Sequence, residues 1–255
     1  MKRFCLLLLL CLVPLRGDAA CRLALAMALD VSGSVDAEEY RLQMSGLAAA
    51  LGDPDVEAAL FSMPEALVAL SVFEWSSASY QRIIHDWILV EDRTVLGEIR
   101  GRLVTWEREK APEATGLGAA MEFGKALLDR APACWNQTLD VSGDGKNNDW
   151  PEPRYVRAQG TLAGIRINAL VIAESPGSEG QRPPVLASDL ADYFRANVIQ
   201  GSDAFVETAL GFQDYATAMQ RKLLRELKAQ PVGVLPRRFG ERIVPARLSE
   251  PVTGQ

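Results

Sequence analysis

Short apolar runs alternate with amphipathic segments along most of this 255-residue chain. The first run covers residues 23–29 and ends at Asp30, a pattern typical of a strand that is buried on both faces. Helical spacing follows over residues 37–51, and Asp36 stands where it can cap that helix. Strands that alternate with helices predict an α/β fold, in which a mostly parallel sheet is covered by helices on both faces.

The same patterns extend the alternation to residue 227. Further strands are predicted at residues 66–73, 81–90, 138–141, 167–172 and 204–207, and further helices at residues 94–106, 116–128, 155–163, 188–197 and 212–227. Residues 81–90 alternate apolar and polar side chains, which indicates a half-exposed edge strand. Residues 174–184 predict a surface loop, and the prolines of residues 229–255 predict a loosely ordered tail. We expect one domain, over residues 21–228.

The beginning of the chain has the layout of a secretory signal peptide. Lys2 and Arg3 precede an apolar run over residues 4–13, and small residues follow up to Ala20. The run is shorter than the roughly 20 apolar residues that span a membrane, and no later run is longer. We therefore expect residues 1–20 to be removed and the mature protein to be periplasmic or secreted, without a transmembrane segment.

Charge and composition exclude some classes of function. A net charge of −6 argues against nucleic-acid binding, which usually requires a basic surface. A single histidine excludes sites built from several histidines, so a metal ion would be held mainly by oxygen. Removal of the leader would leave Cys21 and Cys134 as the cysteines of the mature chain. They predict one disulfide, or else lipid attachment at Cys21.

One set of residues has the chemistry of a cation site. Asp30, Ser32 and Ser34 occupy alternate positions directly after the first strand, at the edge where open α/β sheets bind ligands. Thr115 stands at a predicted helix start, and Asp144 follows another predicted strand. Hydroxyl and carboxylate oxygens in this arrangement suit Mg²⁺ or a similar divalent cation. Each residue alone also fits a turn or a helix cap.

Taken together, these five residues resemble the metal-ion-dependent adhesion site (MIDAS) of the von Willebrand factor type A (vWA) domain family. The resemblance spans residues 22–228, and the segments ALDVSGSVD and SGDGKNND are most similar to a bacterial exported subgroup. It implies a three-layer, Rossmann-like fold with one antiparallel edge strand. It also implies that the serines and the threonine bind Mg²⁺, or Mn²⁺ or Ca²⁺, directly, while the aspartates often act through water.

The resemblance also assigns neighbouring residues. Asp144 is preferred to Asp140 as the site aspartate because Gly145 follows it, as in the family, and Asp140 is then structural. Four further residues are candidates for a rim or outer shell around the ion, namely Glu74, Asn147, Asn148 and Asp149. The last three also fit a simple turn.

The sheet order of the family places the first strand beside the strand that leads to Asp144. Cys21 lies nine residues before Asp30, and Cys134 lies ten residues before Asp144. These matched offsets bring both cysteines to the same end of neighbouring strands, at a separation compatible with a disulfide. The resemblance therefore favours the disulfide over the lipid.

The function implied is that of a monomeric binding module, in which an Asp or Glu of a partner protein completes the shell of the ion. Alternatives are a metal-assisted hydrolase in the same cleft, or a scaffold domain that has lost the metal. We do not expect an enzyme, because no nucleophile or nucleotide-binding motif follows a predicted strand.

Overall fold

The central sheet is the element that positions everything else in this protein. The computed structural model describes residues 20–173 and 187–228, and within them six strands pair in the order β3-β2-β1-β4-β5-β6. The strands are β1 (Ala20–Asp30), β2 (Ala66–Trp75), β3 (Gln81–Leu89), β4 (Cys134–Gly143), β5 (Arg166–Ala173) and β6 (Val206–Leu210). The pairs are parallel except that β3 runs antiparallel to β2 at the edge. The predicted fold class is confirmed.

Seven α-helices in the described residues connect or flank these strands. They are α1 (Ala37–Leu51), α2 (Pro54–Leu60), α3 (Arg93–Thr105), α4 (Leu117–Leu128), α5 (Pro153–Ala158), α6 (Ala187–Asn197) and α7 (Tyr215–Lys228). Asp36 caps α1 as predicted, and Glu39 completes the capping box. The helix α2 was not predicted, because seven residues are too few to show a helical period.

Two helices differ from their predicted bounds by more than one residue, for local reasons. The helix predicted at residues 155–163 ends at Ala158, and Gly160 and Gly164 in the following turns have positive φ values of 72° and 84°. The helix predicted at residues 212–227 begins with a separate 3₁₀ turn before α7.

The alternation of side chains along β1 divides the core into two layers. Its leucines and Met27 belong to one apolar cluster with buried residues of α1, α3 and α7, while Ala24, Ala26 and Ala28 belong to a second cluster with residues of α4, α5 and α6. Every residue of β1 after Ala20 is buried. Helices therefore cover both faces of this strand, which explains why its apolar run is continuous, as the sequence indicated.

The two cysteines meet at the amino-terminal end of the sheet. Cys21 and Cys134 are register partners on β1 and β4, with Cα atoms 4.4 Å apart, and their sulfurs form a disulfide. The predicted pairing is confirmed. Lipid attachment at Cys21 is incompatible with this bond, because both modifications need the same sulfur atom.

Three sequence predictions fall on residues outside those described. They are the leader up to residue 19, the surface loop at residues 174–184 and the tail at residues 229–255. Ala20, the last residue of the predicted leader, is the first residue of β1. Among the described residues, no helix combines the length and apolarity needed to cross a membrane.

Candidate metal centre

The five candidate residues gather at the carboxyl-terminal edge of the sheet. Asp30 ends β1, Ser32 and Ser34 lie in the loop that follows, Thr115 precedes α4, and Asp144 follows β4. The Ser34 hydroxyl donates to Asp144 Oδ1 at 2.8 Å, and the Thr115 hydroxyl donates to Ser32 Oγ at 3.3 Å. The hydroxyl oxygens of Ser32 and Ser34 are also 3.3 Å apart. Since β1 and β4 are parallel neighbours, their carboxyl ends bring these loops together.

Asp30 is the buried carboxyl group of this cluster. Its side chain is fully buried, and Oδ1 accepts a hydrogen bond from the Ser32 backbone amide at 2.8 Å. Oδ2 is buried without a hydrogen-bond partner among the described residues. Burial, and then the charge of Asp144, raise the pKa of Asp30 well above its ordinary value. A cation beside Oδ2 would satisfy this oxygen and offset the repulsion between the two carboxylates.

The donor set decides which ions the site can hold. It consists of three hydroxyls and two carboxylates, all hard oxygen donors of the kind that Mg²⁺, Mn²⁺ and Ca²⁺ accept. In residues 20–173 and 187–228, the candidate centre included, no group of three or more His, Cys, Asp or Glu side chains is placed to bind a metal. The residues present therefore fit a divalent cation that is bound largely through hydroxyls.

Asn148 positions the loop that carries Thr115. Its side-chain Oδ1 accepts a hydrogen bond from the Thr115 backbone amide at 2.7 Å, and its backbone amide donates to the Thr115 carbonyl at 3.0 Å. Gly116 donates to the Ser76 carbonyl at 2.6 Å, and a Cβ atom at Gly116 would lie only 2.7 Å from the Ala78 nitrogen. The Thr115 hydroxyl is therefore placed by contacts on both sides of its backbone.

The other two residues of the Asn-Asn-Asp segment hold neighbouring backbone. Asn147 Oδ1 accepts from the Gly118 amide at 3.4 Å, in the first turn of α4. Asp149 Oδ2 accepts from the Ala78 amide at 2.9 Å, in the turn after β2. Both side chains support the loops around the five-residue cluster.

The hydrogen bonds found for Glu74 go to residues other than the five of the cluster. Glu74 is fully buried, and its carboxylate accepts four hydrogen bonds, from Tyr40 at 2.8 Å, Tyr80 at 3.0 Å, Arg82 at 3.0 Å and Trp106 at 3.2 Å. A carboxylate with four donors has little remaining capacity to face an ion. The structure shows Glu74 joining β2 and β3 to α1 and to the end of α3.

Asp140 is also separate from the cluster. It lies on β4 beside Lys222 of α7, which contacts Glu226 Oε1 at 2.7 Å as well. All three side chains are buried. Burial, and then the charge of Glu226, raise the pKa of Asp140 to about 7, although Lys222 opposes this rise.

One residue beside the cluster was not singled out from the sequence. Glu113 lines a cavity of about 190 Å³ together with Gly33, Ser34, Thr115 and Asn148. The only sequence signal was its position two residues before Thr115, and a glutamate in a charged loop is usually a solvated side chain. Only the folded structure brings the loop that carries Glu113 against Gly33, and so against the site.

The sheet order and the flanking helices match the fold of solved vWA domains, so the fold that the resemblance implied is confirmed. The chain belongs to the family described as "Protein of unknown function (DUF1194)", which matches residues 20–231. Among curated proteins, the comparison finds no match.

Solved structures share the fold at low sequence identity. Proximal thread matrix protein 1 from the mussel byssus, with a zinc-occupied MIDAS motif, is 15% identical with a TM-score of 0.56, over 82% of this chain and 47% of that one. The pilus adhesin SpaC of Lactobacillus rhamnosus GG is 11% identical with a TM-score of 0.59, over 83% and 31%. A vWA protein from Catenulispora acidiphila is 14% identical with a TM-score of 0.55, over 82% and 43%. The chain thus spans less than half the length of these structures.

Proposed function

We propose that this chain is an exported binding module that uses a divalent cation to capture an Asp or Glu side chain of a partner protein. The observation that carries the proposal is a chain of contacts that joins three hydroxyls to Asp144, next to a buried Asp30 whose Oδ2 has no hydrogen-bond partner among the described residues. The residues that would hold the ion are Asp30, Ser32, Ser34, Thr115 and Asp144.

The charges of these residues explain why an acidic partner is expected. A bound Mg²⁺, or Mn²⁺ or Ca²⁺ in its place, would supply an electrophilic position that accepts a carboxylate oxygen. Ser32, Ser34 and Thr115 contribute neutral oxygens, so only two carboxylates of the set carry negative charge. Asp30 is buried behind the serines, and Asp144 accepts a hydrogen bond from Ser34. We propose binding because neither carboxylate is placed as an obvious general base.

Two further observations support export and binding. The disulfide between Cys21 and Cys134 is of the kind that persists in oxidising compartments, which agrees with a cleaved leader and a periplasmic or secreted location. The solved structures with this fold include a pilus adhesin and a byssus matrix protein with a zinc-occupied MIDAS motif.

Thermal melting with and without cations tests the metal site. We expect Mg²⁺ or Mn²⁺ at about 100 times its Kd to raise the Tm of the wild type by roughly 5–10 °C over the value in EDTA. The variant Asp30→Asn should lose this rise. It should melt no lower than the wild type in EDTA, because it replaces a carboxyl group whose charged form is disfavoured by burial and by Asp144.

The matched control is Asp86→Asn. Asp86 lies on the edge strand β3, and its exposed carboxylate pairs with Arg130. This variant should keep the full rise in Tm. If no divalent cation raises the Tm of the wild type, the proposed metal site is wrong.

A carboxylate probe tests the second half of the proposal. Acetate that binds to protein-held Mn²⁺ should show a broadened methyl proton line in NMR, because the ion is paramagnetic. We expect broadening beyond that caused by the same concentration of free Mn²⁺ with the wild type, with protein in excess over Mn²⁺, and broadening no greater than that of free Mn²⁺ in Asp30→Asn. Tight Mn²⁺ binding without any acetate broadening, even at high acetate, would contradict carboxylate capture.

A further inference from the structure

The loop between α3 and α4 is held at both ends. At its start, the ring of Trp106 lies 4.7 Å from the guanidinium carbons of both Arg82 and Arg102. At its end, the Gly116 amide donates to a main-chain carbonyl in the turn after β2. With both ends fixed, the residues between them are confined to the space above the carboxyl-terminal edge of the sheet.

Glu113 is the point where this loop contacts the serine loop. Its carbonyl accepts a hydrogen bond from the Gly33 amide at 3.0 Å. A Cβ atom at Gly33 would lie 2.8 Å from the Glu113 Cβ, so only glycine allows the approach. Because Gly33 stands between Ser32 and Ser34, the root of the Glu113 side chain lies directly against the site.

The Glu113 carboxylate is available at the mouth of the site. The side chain is exposed, and it lines the same 190 Å³ cavity as Ser34 and Thr115. In the described parts of the chain, no hydrogen bond or ion pair engages this carboxylate. The cavity has room for a carboxylate and a few water molecules, at roughly 30 Å³ of liquid volume for each water.

We propose that Glu113 is an internal carboxylate that competes with the acidic group of a partner for the ion. This inference rests on the proposed function. Glu113 lines the cavity beside Ser34 and Thr115, so its carboxylate would take the position at the ion that the acidic group of a partner needs. Glu113 thereby increases the affinity for the ion and lowers the affinity for external carboxylates. A partner binds by displacing Glu113 from the cavity.

The test compares the full chain with the variants Glu113→Gln and Glu107→Gln. Glutamine keeps the size of Glu113 and its packing against Gly33, so the Tm in EDTA should stay at the wild-type value. Glu107 is an exposed carboxylate in the same loop that does not line the cavity, so its variant controls for the loss of one negative charge. Calorimetry measures Mn²⁺ affinity, and acetate line broadening measures carboxylate affinity.

We expect Glu113→Gln to bind Mn²⁺ about tenfold more weakly and to reach half-maximal acetate broadening at about tenfold lower acetate. Glu107→Gln should match the wild type in both measurements. An acetate midpoint equal to that of the wild type would overturn it and leave the proposed function standing. Absence of broadening in both proteins would instead refute the proposed function.

Discussion

At the scale of single residues, the site depends on hydrogen bonds of backbone amides as well as on its five oxygen-donating side chains. Asn148 bonds both the amide and the carbonyl of Thr115, and Gly33 permits the contact with Glu113. The five donor residues could be selected from the sequence because their types and order follow a known pattern. Glu113 could not, because its role depends on a contact between two loops that are 80 residues apart in the chain.

Asn148→Ala should separate the placing of Thr115 from metal coordination itself. The change removes the acceptor of the Thr115 amide, so we expect a loss of about 1 kcal/mol in the free energy of unfolding. Mn²⁺ affinity should also fall, because the Thr115 hydroxyl is no longer held towards Ser32. Urea unfolding in EDTA and calorimetry with Mn²⁺ measure the two effects.

Asn197→Ala is the control, since Asn197 donates to a helix carbonyl on α6 away from the site. It should change Mn²⁺ affinity little, whatever its effect on stability. Wild-type Mn²⁺ affinity in Asn148→Ala would show that Thr115 is positioned without Asn148.

At the scale of elements, β4 connects α7 to the candidate metal centre. Asp140 of β4 contacts Lys222, and the hydroxyls of Ser142 and Tyr215 lie 3.3 Å apart. The strand then leads to Asp144 in the site. Periodicity identified β4 and α7 as separate elements, but it could not show that their polar residues meet, because such pairing depends on the docking of the helix.

The buried group of Asp140, Lys222 and Glu226 predicts a pH dependence of stability. In the folded protein the pKa of Asp140 is raised to about 7, whereas an unfolded Asp titrates near pH 4. Between these values the folded state binds more protons, so the contribution of Asp140 is full below about pH 4 and is lost as the pH rises through about 7. Lys222, Glu226 and Tyr215 are the titratable groups that face it.

We therefore expect the stability of the wild type relative to Asp140→Asn to fall between pH 5 and 7, by at most about 1.4 kcal/mol per pH unit. Urea unfolding in EDTA at several pH values measures this difference. Asp189→Asn, at an exposed position on α6, should show no such slope. If the stability of the wild type relative to Asp140→Asn instead rises with pH, then Lys222 holds the pKa of Asp140 low.

At the scale of the whole molecule, the disulfide and the candidate metal centre lie at opposite ends of β1 and β4. The bond joins residues 113 apart in the chain at the amino-terminal end of the two strands. The five-residue cluster lies beyond their carboxyl-terminal ends. Stability and metal binding should therefore respond separately to reduction.

Reduction of the disulfide should destabilise the fold by a few kcal/mol, about 4–5 on the chain-entropy model for so long a loop. Mn²⁺ affinity should stay unchanged wherever the reduced protein is folded. Urea unfolding with and without reductant measures the first effect, and calorimetry measures the second. The double variant Cys21→Ser, Cys134→Ser should be insensitive to reductant, and a large loss of its Mn²⁺ affinity would show that the two ends are coupled.

The sequence by itself determined the alternation of strands and helices, the layered α/β fold and the five oxygen-bearing residues. The alternation and the fold follow from short-range patterns, because burial on both faces of a strand and polar turns at its end can be read locally. The five residues were predicted together because their types and order resemble the MIDAS pattern. The tertiary structure decided which of the remaining polar residues face the site. It buried Glu74 under four donors, used Asn148 to hold Thr115, and brought Glu113 against Gly33. Such contacts join distant loops, and their geometry exists only when the sheet has brought the strand ends together.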